Sequence, residues 1–240
     1  MNDQRRSPLR LGGLQPLTTV EWEGRLCAVL FFQGCPWRCR YCHNPHLVAI
    51  HSSHLIPWEE ALAFLEQRRG LLDGVVFSGG EPTYQPALPD ALQAVRSLGF
   101  EVALHTNGHD PDLLAEVLSS GLVSYVAMDL KAPFGKYERV TRVVGSGVRA
   151  EQSLKAILAF AVEHEFRTTY HSDLLGVAEL RAMAHELRRL GGQAYFLQQY
   201  REEGCVDMRL LLSPSEELPP GLVAELTGLF PRFGVRRSGA

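Results

Sequence analysis

Six times along this 240-residue chain, an apolar run of strand length is followed by a longer segment of helical period. That alternation constrains the fold more than any other feature. Leu26 to Phe32 is a continuous apolar run ending at Gln33-Gly34, which predicts a strand buried on both faces. Pro57 to Arg69 follows, with Trp58, Ala61, Leu62 and Leu65 spaced for one face of a helix. Further strands are predicted at Gly74 to Phe77, Glu101 to His105, Tyr125 to Asp129, Arg167 to Tyr170 and Ala194 to Gln199. The helices between and after them are predicted at Ala87 to Leu98, Pro111 to Ser119, about Ala150 to His164, Leu174 to Leu190 and Glu216 to Phe230. Strand-then-helix units in series favour a parallel sheet with right-handed crossovers. In such sheets, open or closed, ligands sit at the carboxyl ends of the strands.

No linker, repeat or composition shift divides the chain, so residues 1–240 are read as one domain, with 1–16 a flexible or capping arm. At 45% hydrophobic and 21% charged residues the chain has the composition of a globular protein. A net charge of -3 without a basic block argues against a nucleic-acid partner. The longest apolar runs, Leu26 to Phe32 and Ala156 to Val162, are seven residues each, far below the roughly 20 of a membrane helix. Arg5-Arg6 is followed by Ser7-Pro8-Leu9-Arg10 where a twin-arginine signal needs an apolar segment. The expectation is a cytoplasmic protein with no membrane partner.

The strand ends carry the polar chemistry. Gly34-Cys35 follows the first strand, Ser78-Gly79-Gly80-Glu81-Pro82 the second, Thr106-Asn107-Gly108 the third and Asp129-Leu130-Lys131 the fourth. Asp129 and Lys131 fall on the same face, because side chains alternate along a strand. Of five cysteines, Cys35, Cys39 and Cys42 lie within eight residues, in a C-x3-C-x2-C spacing. Such bunching in a chain of this length points to metal or redox chemistry, not a disulfide framework. Three thiolates on a short loop can ligate three irons of a cubane cluster and leave the fourth open. The competing reading is a structural zinc knuckle with His43, His46, His51 or His54 as fourth ligand. Zinc sites usually show paired arms, and no second arm is evident. Cys27, mid-strand, reads as a small hydrophobe, and Cys205 as a spare thiol in preference to a fourth ligand.

The cysteine loop resembles that of the radical S-adenosylmethionine enzymes, with Tyr41 as the aromatic of their motif. More narrowly, the segments Thr19-Val20, Phe31-Phe32-Gln33-Gly34-Cys35 and Tyr41-Cys42-His43-Asn44 resemble the glycyl-radical-activating enzymes. Gly79-Gly80-Glu81-Pro82, His105-Thr106-Asn107-Gly108, Asp129-Leu130-Lys131-Ala132-Pro133 and Arg167-Thr168-Thr169 extend the likeness over most of the chain. The set is most similar to activating proteins of anaerobic ribonucleoside-triphosphate reductase. Glu21-Trp22-Glu23-Gly24 departs from the aspartate-containing turn that activating enzymes carry there.

The resemblance implies an α/β fold, a partial (β/α)6 barrel of parallel strands with outer helices, whose opening admits a protein loop. It implies one 4Fe-4S cluster on Cys35, Cys39 and Cys42, which are also the catalytic residues, and S-adenosylmethionine chelated to the open iron. Reductive cleavage would yield a 5′-deoxyadenosyl radical that makes a glycyl radical on a partner, here anaerobic ribonucleotide reductase. The implied cofactor contacts are Tyr41 beside the adenine and Gly79, Gly80, Glu81 and Pro82 around the methionine ammonium. His105, Thr106, Asp129 and Lys131 complete them. In related enzymes the aspartate can also hold a monovalent cation, but His105 stands where some relatives carry a second aspartate. With no cysteines for extra clusters, electrons would come from a flavodoxin or ferredoxin. Two alternatives stay open: a radical enzyme acting on a small molecule, as in the deazaguanine synthases, and a non-catalytic zinc or iron-sulfur module.

Overall fold

A computed structural model of the chain describes residues 9–236. The strands are β1 (Leu11–Thr18), β2 (Cys27–Phe32), β3 (Gly74–Gly79), β4 (Glu101–Thr106), β5 (Tyr125–Asp129), β6 (Glu163–Tyr170), β7 (Ala194–Gln199) and β8 (Arg232–Arg236). They form one sheet in chain order. β1 runs antiparallel to β2 and every later pairing is parallel. Helices α1 (Trp58–Glu66), α2 (Leu88–Ser97), α3 (Pro111–Ser119), α4 (Glu138–Thr141), α5 (Ser146–Ala159), α6 (Val177–Leu190), α7 (Met208–Leu211) and α8 (Pro220–Leu229) lie in the connections. Successive strand–helix–strand units make an open, barrel-like sheet with edges at β1 and β8. No helix among the described residues is long and apolar enough to cross a membrane.

The six expected parallel strands are present, and two edge strands join them. Part of the stretch read as an arm, Leu11 to Pro16, belongs to β1, while residues 1–8 lie outside the described residues. Two glycines and a proline weaken its strand signal, yet all three suit an edge that pairs on one side only. The helix expected to reach His164 ends at Ala159, because Phe160 turns extended and Glu163 must pair with Tyr125 to start β6. α3 matches its expected bounds: Pro111 opens it and the Asp110 carboxylate caps it, accepting from the Leu113 amide at 3.0 Å.

The period of two divides the sheet into two faces. Ala28, Leu30, Phe32, Val75, Phe77, Val102, Leu104, Val126 and Met128 pack under the helices in the main core. On the concave face, Cys27, Val29, Val76, Ala103, Tyr125 and Ala127 form a second apolar cluster capped by Trp22, whose ring stacks on Tyr125 at 5.5 Å. Continuing the same parity toward the carboxyl ends gives Ser78, His105, Asp129 and Arg167. The interior is therefore a dry plug at one end and a polar cavity at the other. On the same face β6 carries the buried Glu165 carboxylate, which accepts two bonds from Arg236 of β8 at 2.6 and 2.8 Å.

Candidate active site

Gly34 leaves β2 with φ +102°, a left-handed turn that favours glycine, and the cysteine loop begins. Its backbone is pinned on both sides. The Gly34 and Cys35 amides donate to the carbonyls of Leu47 and Val48 at 2.7 and 3.0 Å, and those of Arg38 and Arg40 to Thr141 and Val140. Arg38 Nη1 donates to the Cys35 carbonyl at 2.6 Å. Trp37 is buried edge-on against Tyr137 at 5.6 Å. Held in this way, Cys35, Cys39 and Cys42 line a cavity of about 130 Å³ together with Tyr41, Gly79, Gly80, Glu81, His105, Thr106, Asp129 and Lys131. The cavity thus gathers eleven of the twelve site residues expected from sequence. Pro82 is buried just behind it, opening a single 3-10 turn.

The chain's own packing requires both glycines. A Cβ on Gly79 would lie 2.3 Å from the Phe32 nitrogen, and one on Gly80 2.4 Å from the Gly34 carbonyl oxygen and 2.8 Å from that of Leu47. They let the end of β3 lie flat against the end of β2 and the start of the cysteine loop. Glu81 then braces the neighbouring loops. Its Oε1 accepts from the Thr83 amide at 3.0 Å, the Thr83 hydroxyl at 2.6 Å and the Thr106 hydroxyl at 2.7 Å. Its Oε2 accepts from the Asn107 amide at 2.7 Å. Burial pushes this carboxyl above its ordinary value despite the four donors.

A charged array occupies the ends of β4 to β6. The Asp129 carboxylate takes Lys131 Nζ at 3.3 Å on one oxygen and Arg167 Nε at 3.1 Å on the other. Burial would raise its pKa, but the two cations outweigh it and hold the carboxyl at about 2. Lys131 is itself buried, with its ammonium 5.4 Å from the Tyr41 ring centre, and is held well above its usual value despite burial. The Tyr137 hydroxyl fixes the turn between the pair, donating to the Asp129 carbonyl and accepting from the Lys131 amide, each at 3.1 Å. His105 is neutral: burial, and then the Arg167 charge, hold it well below its ordinary value. Its Nε2 donates to the Glu21 carbonyl at 3.0 Å, which leaves Nδ1 to accept from Arg167 Nη1 at 3.5 Å.

The cavity also takes in Asn44, Ser78 and Asn107, which are not among the expected cofactor contacts, and Arg167, which like Thr168, Thr169, His171, Gln198 and Gln199 ends a strand where the sequence allows packing as readily as lining the cavity. Parity points to Ser78, which continues Val76, and decides for Arg167, which stands opposite Asp129 in the β5–β6 register. Asn107 has no such signal. Its Nδ2 donates to Cys35 Sγ at 3.5 Å, while its Oδ1 is buried with no partner. Thr168 instead donates to the Leu130 carbonyl, and Gln199 lines a separate cavity near Tyr170. Cys27 lies in the concave apolar cluster, and Cys205 donates to the Arg40 carbonyl outside the cavity lining.

A family model described as the Radical SAM superfamily matches residues 29–192, from mid-β2 past the end of α6. This chain belongs to the radical SAM superfamily. Among its relatives is a protein of Methanocaldococcus jannaschii named "Putative glycyl-radical enzyme activating enzyme MJ1227", 27% identical over 204 residues, 82% of each chain. The pyruvate formate-lyase-activating enzyme of Clostridium pasteurianum is 33% identical over 127 residues. That match covers 51% of this chain and 52% of the relative, so the chain spans about half the relative's length. Among solved structures, Streptococcus suis SuiB bound to S-adenosylmethionine superposes with a TM-score of 0.63 at 15% identity. The match covers 88% of this chain and 52% of SuiB, and at that identity it shows the shared fold.

The superfamily's cofactors are a 4Fe-4S cluster and S-adenosylmethionine, and the residues present fit both. Burial pushes the Cys35 thiol up to about 12 and the Cys39 thiol to about 11, so the thiolate ligands need a strong positive charge beside them, which iron supplies. A cluster several ångströms across suits thiols spread around a cavity better than lone zinc, and His43 Nε2 is already 3.1 Å from the Arg201 carbonyl. For the second cofactor, the cavity offers the partly exposed Asp129 carboxylate, two buried cations and the free Oδ1 of Asn107. These match a zwitterionic amino-acid end. The chain is a radical SAM enzyme that carries one cluster and binds S-adenosylmethionine.

Proposed function

We propose that this enzyme is a glycyl-radical-activating enzyme, with an anaerobic ribonucleoside-triphosphate reductase as the partner it activates. The observation that carries the reading is the single cavity in which Cys35, Cys39 and Cys42 face the array of Asp129, Lys131 and Arg167. Cys35, Cys39 and Cys42 would hold three irons and leave one for the amino-acid end of S-adenosylmethionine. When bound, the reduced cluster and S-adenosylmethionine together supply a carbon radical able to take a hydrogen atom from an unactivated C–H bond. Everything else is positioning by the chain's own groups.

Lys131 and Arg167 would receive the methionine carboxylate, with Asp129 keeping both in place; Asn107 Oδ1 and backbone carbonyls near Gly80 would accept from the ammonium. Tyr41 would flank the adenine. Glu81 and Thr106 act on one another and on the loop backbones, so both are positioning residues. Lys131 and Arg167 carry one positive charge more than Asp129 offsets, and the methionine carboxylate would balance it, so the reading calls for no monovalent cation. The sheet's free edges support a protein substrate, because a loop bearing the target glycine can reach the polar end of the concave face from the side. The relatives named above support the class of partner. Cys27 and Cys205 do not line the cavity and are too few to hold a second cluster, so in this reading electrons come from an external flavodoxin or ferredoxin in the cytoplasm.

The test is anaerobic mixing of the reconstituted enzyme, a reductant, S-adenosylmethionine and the reductase from the same cell. A glycine-centred doublet in the electron paramagnetic resonance spectrum of the reductase supports the reading, with Cys35→Ala as the inactive control. Cofactor cleavage that leaves the reductase without a radical, and instead transforms a small molecule, refutes it.

A further inference from the structure

The cysteine loop has two sides. Its inner side faces the cofactor cavity, and its outer side faces a wider groove of about 480 Å³. Cys39 and Cys42 line both. The wall between the cluster ligands and the outer groove is therefore one loop thick.

The groove has a definite chemistry. Four guanidinium groups, from Arg38, Arg40, Arg142 and Arg209, line it against one carboxylate, that of Asp207. Asp207 is already engaged, 2.7 Å from Arg40 Nε and 3.2 Å from Arg142 Nη2. The surface is strongly positive on a chain whose overall charge is -3. Among the arginines sit Val206 and Met208, 70% and 62% exposed, an apolar patch that a partner can cover. The groove is also preformed. The segment after β7 is strapped to the cysteine loop by the Arg40–Asp207 pair and by contact so close that a Cβ on Gly204 would lie 2.1 Å from the His43 carbonyl oxygen.

Once S-adenosylmethionine fills the inner cavity, an electron for the cluster must arrive from the other side, and transfer between proteins demands a short path. We propose that this groove is the docking port of an acidic, low-potential one-electron carrier protein, an inference that rests on the radical-enzyme reading above. The carrier passes one electron through the Cys39–Cys42 wall; the carrier is oxidised by one electron, the cluster is reduced by one, and no bond forms or breaks. Electrostatic complementarity of this kind sets encounter rate and salt dependence more than intrinsic chemistry.

The experiment compares two reductants on one enzyme. Formation of 5′-deoxyadenosine is followed anaerobically with reduced flavodoxin, an acidic flavoprotein, and separately with dithionite, which needs no docking. The double variant Arg142→Glu, Arg209→Glu should lose about tenfold or more of the flavodoxin-driven rate, keep its dithionite rate within about twofold, and abolish the salt sensitivity of the flavodoxin reaction. Val206→Asp, which leaves every arginine in place, should do the same in weaker form, and decides the matter if the double variant binds less iron. Unchanged flavodoxin rates overturn the proposal. So does an equal loss with both reductants at full iron content, which would place the activated partner in the groove. A parent enzyme that cleaves nothing with dithionite overturns the radical-enzyme reading itself, and the docking port with it.

Discussion

Glu81 is the residue on which the cofactor cavity leans hardest, and its removal has a calculable cost. In Glu81→Ala the amides of Thr83 and Asn107 and the hydroxyls of Thr83 and Thr106 all lose their acceptor. The hydroxyls can rotate to other partners, but the two backbone N–H groups cannot. Each stranded buried donor costs about 1–3 kcal/mol, and loss of the packed side chain adds to this, so the variant should be destabilised by roughly 3–5 kcal/mol. For a chain of this length that is a fall of roughly 6–20 °C in Tm. Glu81→Gln should be much milder, because an amide oxygen can still serve three of the four donors and the desolvation cost of a buried charge disappears. The assay is urea unfolding of the apoprotein, free of oxygen, for parent and both variants. A Glu81→Ala variant within about 1 kcal/mol of the parent, or a Glu81→Gln variant as damaged as Glu81→Ala, would refute the bracing role.

Gly80→Val should lower iron incorporation as well as cofactor affinity, because its Cβ would meet the Gly34 and Leu47 carbonyls; an iron assay on reconstituted protein checks this. Asp129→Asn should weaken S-adenosylmethionine binding about tenfold or more at normal iron content, since Lys131 and Arg167 lose the group that orients them. Asp129's folded pKa lies below its unfolded value, so its contribution to stability is present above the unfolded value and lost as pH falls through about 2. Cofactor affinity measured by equilibrium dialysis should therefore show no titration of Asp129 or of the neutral His105 from about pH 6 to 8. Asn107→Ala removes a donor to Cys35 Sγ and should lower the cluster's reduction potential, read by redox titration of its paramagnetic signal.

Most of the parallel sheet was legible because its strands are buried on both faces and read as unbroken apolar runs. β1 and β8 were not, for edge strands pair on one side and tolerate Gly12, Gly13 and Pro16 or a run such as Arg232–Arg236. The site's position followed from the rule that parallel strands present their carboxyl ends together, and the cysteine spacing supplied its chemistry. Roles were harder to read than membership. A sequence does not tell a glycine that admits a ligand from one that admits neighbouring backbone, and the 2.3 and 2.4 Å approaches to Phe32 and Gly34 show that the second holds for Gly79 and Gly80. Glu81 looks like a ligand-binding carboxylate until its four donors are seen to come from its own chain. Arg167 lies 38 residues beyond Asp129, a pairing that needs the β5–β6 register. The outer groove joins the cysteine loop to residues 206–209, and no local pattern brings those segments together.

The most direct test of the central claim follows one atom. Under the proposed function the radical formed in the cavity takes its hydrogen from a glycine of the partner, so the proposed reductase is prepared with deuterated glycine and activated in ordinary water. Mass spectrometry of the 5′-deoxyadenosine should show one deuterium per molecule in the first turnover, with a glycyl radical appearing on the reductase in matching amount. Deuterium-free 5′-deoxyadenosine, formed at the same rate with a reductase Gly→Ala variant or with no reductase present, would contradict the account.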